Sequence, residues 1–228
     1  MKKFFDSAKE IINKIPRKIR RVGLLLVIVL ILATIVWKPI RVMDLQARAG
    51  KQIETFTESY AALYADFFTC QIPALTRLPE DPSLDQAVAL LEKAQNLKPN
   101  NPQTYLLLGR AYCLQGDFSK AIAAFDEFSR IRKGNPLGVL ETAFSHITMT
   151  LIPDLVPEED VSAHEAVAEK ILLSLGYSFE YFIDEADGAF DRGAHAAAWY
   201  WYRLAGLFQP LPEEAAQRVD FLDGLFID

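Results

Sequence analysis

Apolar residues are distributed along this chain in two patterns. Residues 22–37, VGLLLVIVLILATIVW, carry no charge and only Thr34 as a hydrogen-bonding side chain. Elsewhere apolar positions recur every third or fourth residue, the period of helices that bury one face. A helix over the uniform run is apolar on every side, which suits lipid better than a globular surface. Sixteen residues make about 24 Å of helix against a hydrocarbon layer of about 30 Å. Arg20, Arg21, Lys38 and Arg41 can snorkel across the difference, with Trp37 at the interface.

Charge orients this span. Residues 1–21 hold eight basic side chains against Asp6 and Glu10, and the twenty residues after Trp37 hold four basics. The positive-inside rule then puts the N-terminus in the cytoplasm and the rest outside it. The expected organisation is a basic amphipathic cytoplasmic segment over 1–21, a transmembrane signal-anchor over 22–42 and an extracytoplasmic helical domain over 43–228. The first segment reads either as a helix lying on the inner leaflet or as a basic tail that only fixes topology. ARAG at 47–50 resembles a cleavage site, but it lies ten residues and two cations beyond the apolar run, which favours an uncleaved anchor. A short anchor and the lack of a glycosylation sequon point to a bacterial cell membrane. The bilayer is thus an expected partner, through residues 22–37.

The periodic part predicts helices and no strand. Residues 102–136, PQTYLLLGRAYCLQGDFSKAIAAFDEFSRIRKGNP, read as two helices joined at QGD, where Gly116 is free to take positive φ. Tyr105, Leu108, Gly109 and Tyr112, then Gly116, Asp117, Ala121 and Phe125, are placed as in the tetratricopeptide repeat, whose period is about 34 residues. The segment resembles that family, although Lys133 stands where its closing proline usually is and Phe128 where an Ala is common. One period upstream, Ala87, Leu91, Ala94 and Pro99 make residues 83–99 the second helix of a preceding repeat, with 51–70 the nearest first helix. Gly193, Ala198, Tyr202, Ala205 and Pro210 repeat the spacing of Gly116, Ala121, Phe125, Phe128 and Lys133, so DRGAHAAAWYWYRLAGLFQP, residues 191–210, reads as another second helix and residues 178–192 as its first. Helices over 137–151 and 161–175 lie between, with poor repeat matches, and 213–226 is a terminal capping helix. The expected fold is all-α: a transmembrane helix followed by a solenoid of about four helical pairs with a cap.

That register poses a question about AAAWYWYRLAG, residues 196–206. Trp199, Tyr200, Trp201 and Tyr202 are consecutive, and a helix turning about 100° per residue points them almost all the way round. By alignment Trp199 and Tyr202 take the buried places of Ile122 and Phe125, while Tyr200 and Trp201 take the more open places of Ala123 and Ala124. Either the capping helix or another subunit should cover the second two.

Composition excludes some functions. The chain carries −6, and residues 1–21 contribute +6, which leaves −12 on residues 38–228; such a domain repels nucleic acid. No phosphate loop, GxSxG elbow or HExxH is present. His146, His164 and His195 lack metal-site spacing, and Asp160 with His164 reads as a helix-capping pair or as two ligands on one face. No enzyme, metal, cofactor or small-molecule substrate is expected. Cys70 and Cys113 fall near the ends of neighbouring first helices, as a disulfide or as two buried thiols.

The expected activity is that of a non-enzymatic scaffold, an accessory or assembly factor for envelope proteins, or alternatively a permanent subunit of a membrane complex. The resemblance implies that first helices line a concave groove holding other proteins, with Gln103, Leu106, Arg110 and Leu114 facing it. Glu180, Asp184, Asp187 and Asp191 fall on one stripe within about 60° of arc. That stripe suits a basic partner segment, or is an ordinary solvated face. Tyr200 and Trp201 are a further candidate contact, because such residues are favoured at interface centres.

Overall fold

The structure is a computed structural model that describes residues 17–59, 70, 81–152 and 155–226, with side chains described from Val36 onward and not for residue 226. The chain divides into residues 1–44 and 45–228. Among the described residues every element is helical: α1 Arg17–Ser59, α2 Pro82–Leu97, α3 Pro102–Leu114, α4 Phe118–Ile131, α5 Leu137–Leu151, α6 Glu158–Ser174, α7 Phe179–Asp191, α8 His195–Phe208 and α9 Glu213–Phe226.

The helix starts follow local chemistry. Asp81 and Asn101 accept from the main-chain amides of Ser83 and Gln103, and a proline occupies the first turn of α2 and α3, where its missing N–H costs nothing. Asp117 and Ser178 cap α4 and α7 in the same way. The turns after α3 and α7 share one geometry. Gly116 and Gly193 have φ of 78° and 73°. Asp117 N–H donates to Tyr112 C=O and Ala194 N–H to Ala189 C=O, both at 2.9 Å, closing the helix ends. The two glycines aligned in sequence thus make equivalent turns.

Packing joins α3 to α4, α5 to α6 and α7 to α8 as antiparallel pairs, with α2 against α3, α4 against α5, and α9 and α6 against α8. Close approach in the first of these pairs depends on Gly109, where an added Cβ would run into the Phe125 ring. Phe125 and Ala121 are fully buried, whereas Ala123 is exposed. Burying a side chain such as Phe125 contributes roughly 1.5–3 kcal/mol, so the pair is held mainly by this apolar seam.

Two expectations change here. Residues 51–70 were expected to form a first helix of their own; instead residues 51–59 complete α1, which runs unbroken from Arg17 through Pro39, and residues 60–69 lie outside the described residues. The expected single-pass membrane protein, with a cytoplasmic N-terminus and an extracytoplasmic domain, is also corrected. Among the described residues no helix is long and apolar enough to cross a membrane. The apolar run is short, and the described side chains of α1 include Lys38, Arg41, Asp44, Arg48, Lys51, Glu54 and Glu58, one charge in nearly every turn. The side chains of the run itself, and all of residues 1–16 with the amphipathic segment expected there, lie outside the description.

Candidate protein-interaction face

The residues expected to meet a partner lie on α3, α7 and α8. On α3 only Gln103 is exposed. Leu106 retains 6% of its accessible surface and Leu114 none. Arg110 is half-buried and its Nε donates to Glu141 Oε1 at 3.0 Å. Leu106 and Leu114 are therefore buried, while Gln103 and part of Arg110 reach the surface. Cys70 is joined to Cys113 in a disulfide with a Cα–Cα distance of 5.5 Å, within the usual span. Thr148 on α5 donates through Oγ1 to the Cys70 carbonyl. Gln46 on α1 donates to Thr104 on α3 at 2.8 Å.

Behind the bridge lies a polar seam that sequence reasoning missed. Glu141 is completely buried on α5, and its Oε2 has no hydrogen-bond partner among the described residues. Burial raises its pKa, and Arg110 and then the Cys70 main-chain amide oppose the shift without cancelling it. Ser145 follows one turn later, 3.7 Å from the Cys113 sulfur, and Thr148 next. Glu141, Ser145 and Thr148 stand at spacing 0, 4 and 7 in LGVLETAFSHITMTL, which puts them on one helix face and was a visible signal of a polar stripe.

The four aromatics of α8 are all buried, each against a different neighbour. Trp199 Nε1 donates to Asp223 of α9 at 2.6 Å, and the Arg203 guanidinium, bound to the same carboxylate, lies over its ring. Tyr200 is within 3.2 Å of Thr148 Oγ1 on α5. Trp201 stacks on Phe182 of α7 with centroids 5.8 Å apart and meets Phe144 of α5 edge-on. Tyr202 donates to Asp187 of α7. Burial, and then the Asp187 carboxylate, pushes the Tyr202 pKa up to about 12. The sequence expectation allowed the cap or another subunit to cover Tyr200 and Trp201. Their cover comes from α5 and α7 of this chain, which leaves Trp201 only 5% exposed. Neither side chain is presented to a partner.

The acidic stripe on α7 is divided. Arg218 of α9 donates to Asp187 at 2.9 Å and approaches Asp191 to 4.0 Å, its guanidinium over the Phe190 ring. Glu180 and Asp184 remain exposed, next to the exposed Tyr181 ring, which meets Tyr177 edge-on. Its own main-chain amide, and then Ser178, hold the Glu180 carboxyl below its usual pKa, so it is ionised at neutral pH. Of the ten side chains expected to bind a partner, the structure leaves Gln103, Glu180, Asp184 and, paired at a distance, Asp191 at the surface.

His146 and His164, distant in sequence, meet across the α5–α6 pair with Nδ1 atoms 2.7 Å apart. His164 is thus engaged by His146, a contact that the Asp160–His164 spacing did not anticipate. Among the described residues no three His, Cys, Asp or Glu side chains gather as a metal site. Residues 83–137, which cover α2, α3 and α4, match the family model for the tetratricopeptide repeat. Neither the curated proteins nor the solved structures compared with the chain give a match.

Proposed function

We propose that residues 45–228 act as a non-catalytic scaffold that holds another protein, in the manner of an accessory or assembly factor. The reading rests on the tetratricopeptide-repeat match over 83–137 and on the continuation of paired helices through α8. The exposed surface that fits a partner best is the N-terminal half of α7, where Glu180 and Asp184 flank Tyr181. Two exposed carboxylates beside an exposed aromatic ring suit a partner segment carrying Lys or Arg, which gains both charge attraction and a ring face. The covered face around Leu106, Arg110 and Leu114 is part of the core in this reading.

Affinity capture on the immobilised full-length protein, followed by direct binding measurements, tests the proposal. A stoichiometric protein partner is expected, and its affinity should fall in the double variant Glu180→Gln/Asp184→Asn. A partner bound equally well by that variant would move the interface elsewhere. The absence of any stoichiometric partner would count against the scaffold itself.

A further inference from the structure

The His146–His164 pair has the makings of a metal site, and it stands independently of the proposed scaffold. The two residues project from different helices of one antiparallel pair, α5 and α6, and both are half-buried. Their Nδ1 atoms are 2.7 Å apart and their ring centroids 4.9 Å. Two imidazole nitrogens on one tetrahedral zinc, each at about 2.0–2.1 Å, stand roughly 3.3–3.4 Å from each other. The pair therefore needs to open by about 0.6–0.7 Å, a movement within the reach of the two side chains' torsions.

We propose that His146 and His164 together bind a divalent ion of the borderline class, of which zinc is the example, through their two Nδ1 atoms. Imidazole suits Zn, Ni and Cu ahead of the hard ions Mg and Ca. In the metal-free pair one ring carries its proton on Nδ1 and donates it to the bare Nδ1 of the other. On binding, the donor ring takes the Nε2–H tautomer through solvent exchange. Both Nδ1 lone pairs then face the ion, and no net proton is released from the neutral pair. Only two protein ligands converge among the described residues, so water completes the coordination and the affinity is correspondingly modest. The competing soft ligands are absent, since Cys70 and Cys113 are joined to each other. An ion held by both helices ties α5 to α6, so binding must raise the stability of the folded state.

The test uses full-length, oxidised protein without a histidine tag, titrated with zinc chloride at about pH 7.5, where free imidazole is unprotonated. The thermal midpoint should rise continuously with the logarithm of free zinc. His146→Gln and His164→Gln should each weaken zinc binding at least about tenfold, since even outer-shell losses cost that much, while His195→Gln on α8 should leave it unchanged. Imidazole NMR on the unmutated protein supplies a readout that survives a folding defect in the variants. The chain has three histidines, and zinc should shift the signals of His146 and His164 together and spare His195. A thermal midpoint indifferent to zinc, the same rise in the His146→Gln/His164→Gln variant, or shifts confined to His195 would each reduce the pair to a hydrogen bond only.

Discussion

At the scale of single residues, Glu141 is a group whose burial costs stability when it is charged. A carboxyl completely inside the protein, with one oxygen unpartnered among the described residues and the other held by Arg110, has its pKa raised above 4.5 by burial. The folded state therefore binds a proton more tightly there than the unfolded chain does. Stability from this group is fully present below the unfolded pKa and is lost as pH rises through the folded one. The expected outcome is a denaturation midpoint that declines between about pH 5 and about pH 8 and declines less in Glu141→Gln, compared by urea titration at both values. A slope unchanged by the substitution would mean that other groups govern the pH dependence. The aromatic run is a second residue-scale case. Four large side chains can point in all directions from α8 because Asp223, Thr148, Phe182 and Asp187 meet them on four sides. Their consecutive placement was legible as a helix needing cover on every face. Which neighbours supplied it was not, because α5, the main cover for Tyr200, matches the repeat pattern poorly.

At the scale of elements, the sequence was informative where local chemistry decides. The expected helices 137–151 and 213–226 coincide with α5 and α9, and residues 178–192 contain α7. Gly116 and Gly193 make the turns that their spacing implied. Legibility ended where long-range contacts decide. Leu106 and Leu114 were expected on a groove face, and nothing local reveals that both are buried or that Cys70 is bonded to Cys113. Arg218 likewise gives no hint in EEAAQRVDFLDGLF that it reaches Asp187 on α7. Two predictions follow from the contacts between elements. Gly109→Ala inserts a methyl against the Phe125 ring and should destabilise the domain by about 1–3 kcal/mol. Ala123→Leu, exposed on α4, should stay within about 0.5 kcal/mol; similar thermal shifts for both would place the α3–α4 contact elsewhere. For the bridge, the loop between Cys70 and Cys113 spans a sequence separation of 43, and its closure restricts the unfolded chain. Replacing both cysteines by Ser should cost about 4 kcal/mol on the chain-entropy estimate, read as a lower urea midpoint than that of the oxidised protein.

At the scale of the whole molecule, two candidate interfaces make opposite predictions because one is charged and exposed and the other is apolar and enclosed. Residues 38–228 carry −12, so a basic partner approaches a domain whose overall field already favours it. Glu180 and Asp184 provide the local end of that field, since Arg218 has taken up Asp187. Attraction of this kind reaches only about one Debye length, roughly 8 Å at physiological ionic strength. Affinity for the partner should therefore fall as salt is raised, and the loss should lie mainly in the association rate. Glu180→Gln/Asp184→Asn keeps the helix and its side-chain volumes, so it should slow association and flatten the salt dependence while leaving thermal stability nearly unchanged. Trp201→Ala should do the reverse. The ring is 5% exposed and packed on Phe182 and Phe144, and its removal should cost about 3–5 kcal/mol of folding stability in protein measured alone. Stopped-flow association at two salt concentrations, beside thermal unfolding of the same variants, separates the two effects. If Trp201→Ala abolished binding at full stability while the acidic variant associated normally, the interface would lie over α8 and the face on α7 would be an ordinary solvated surface.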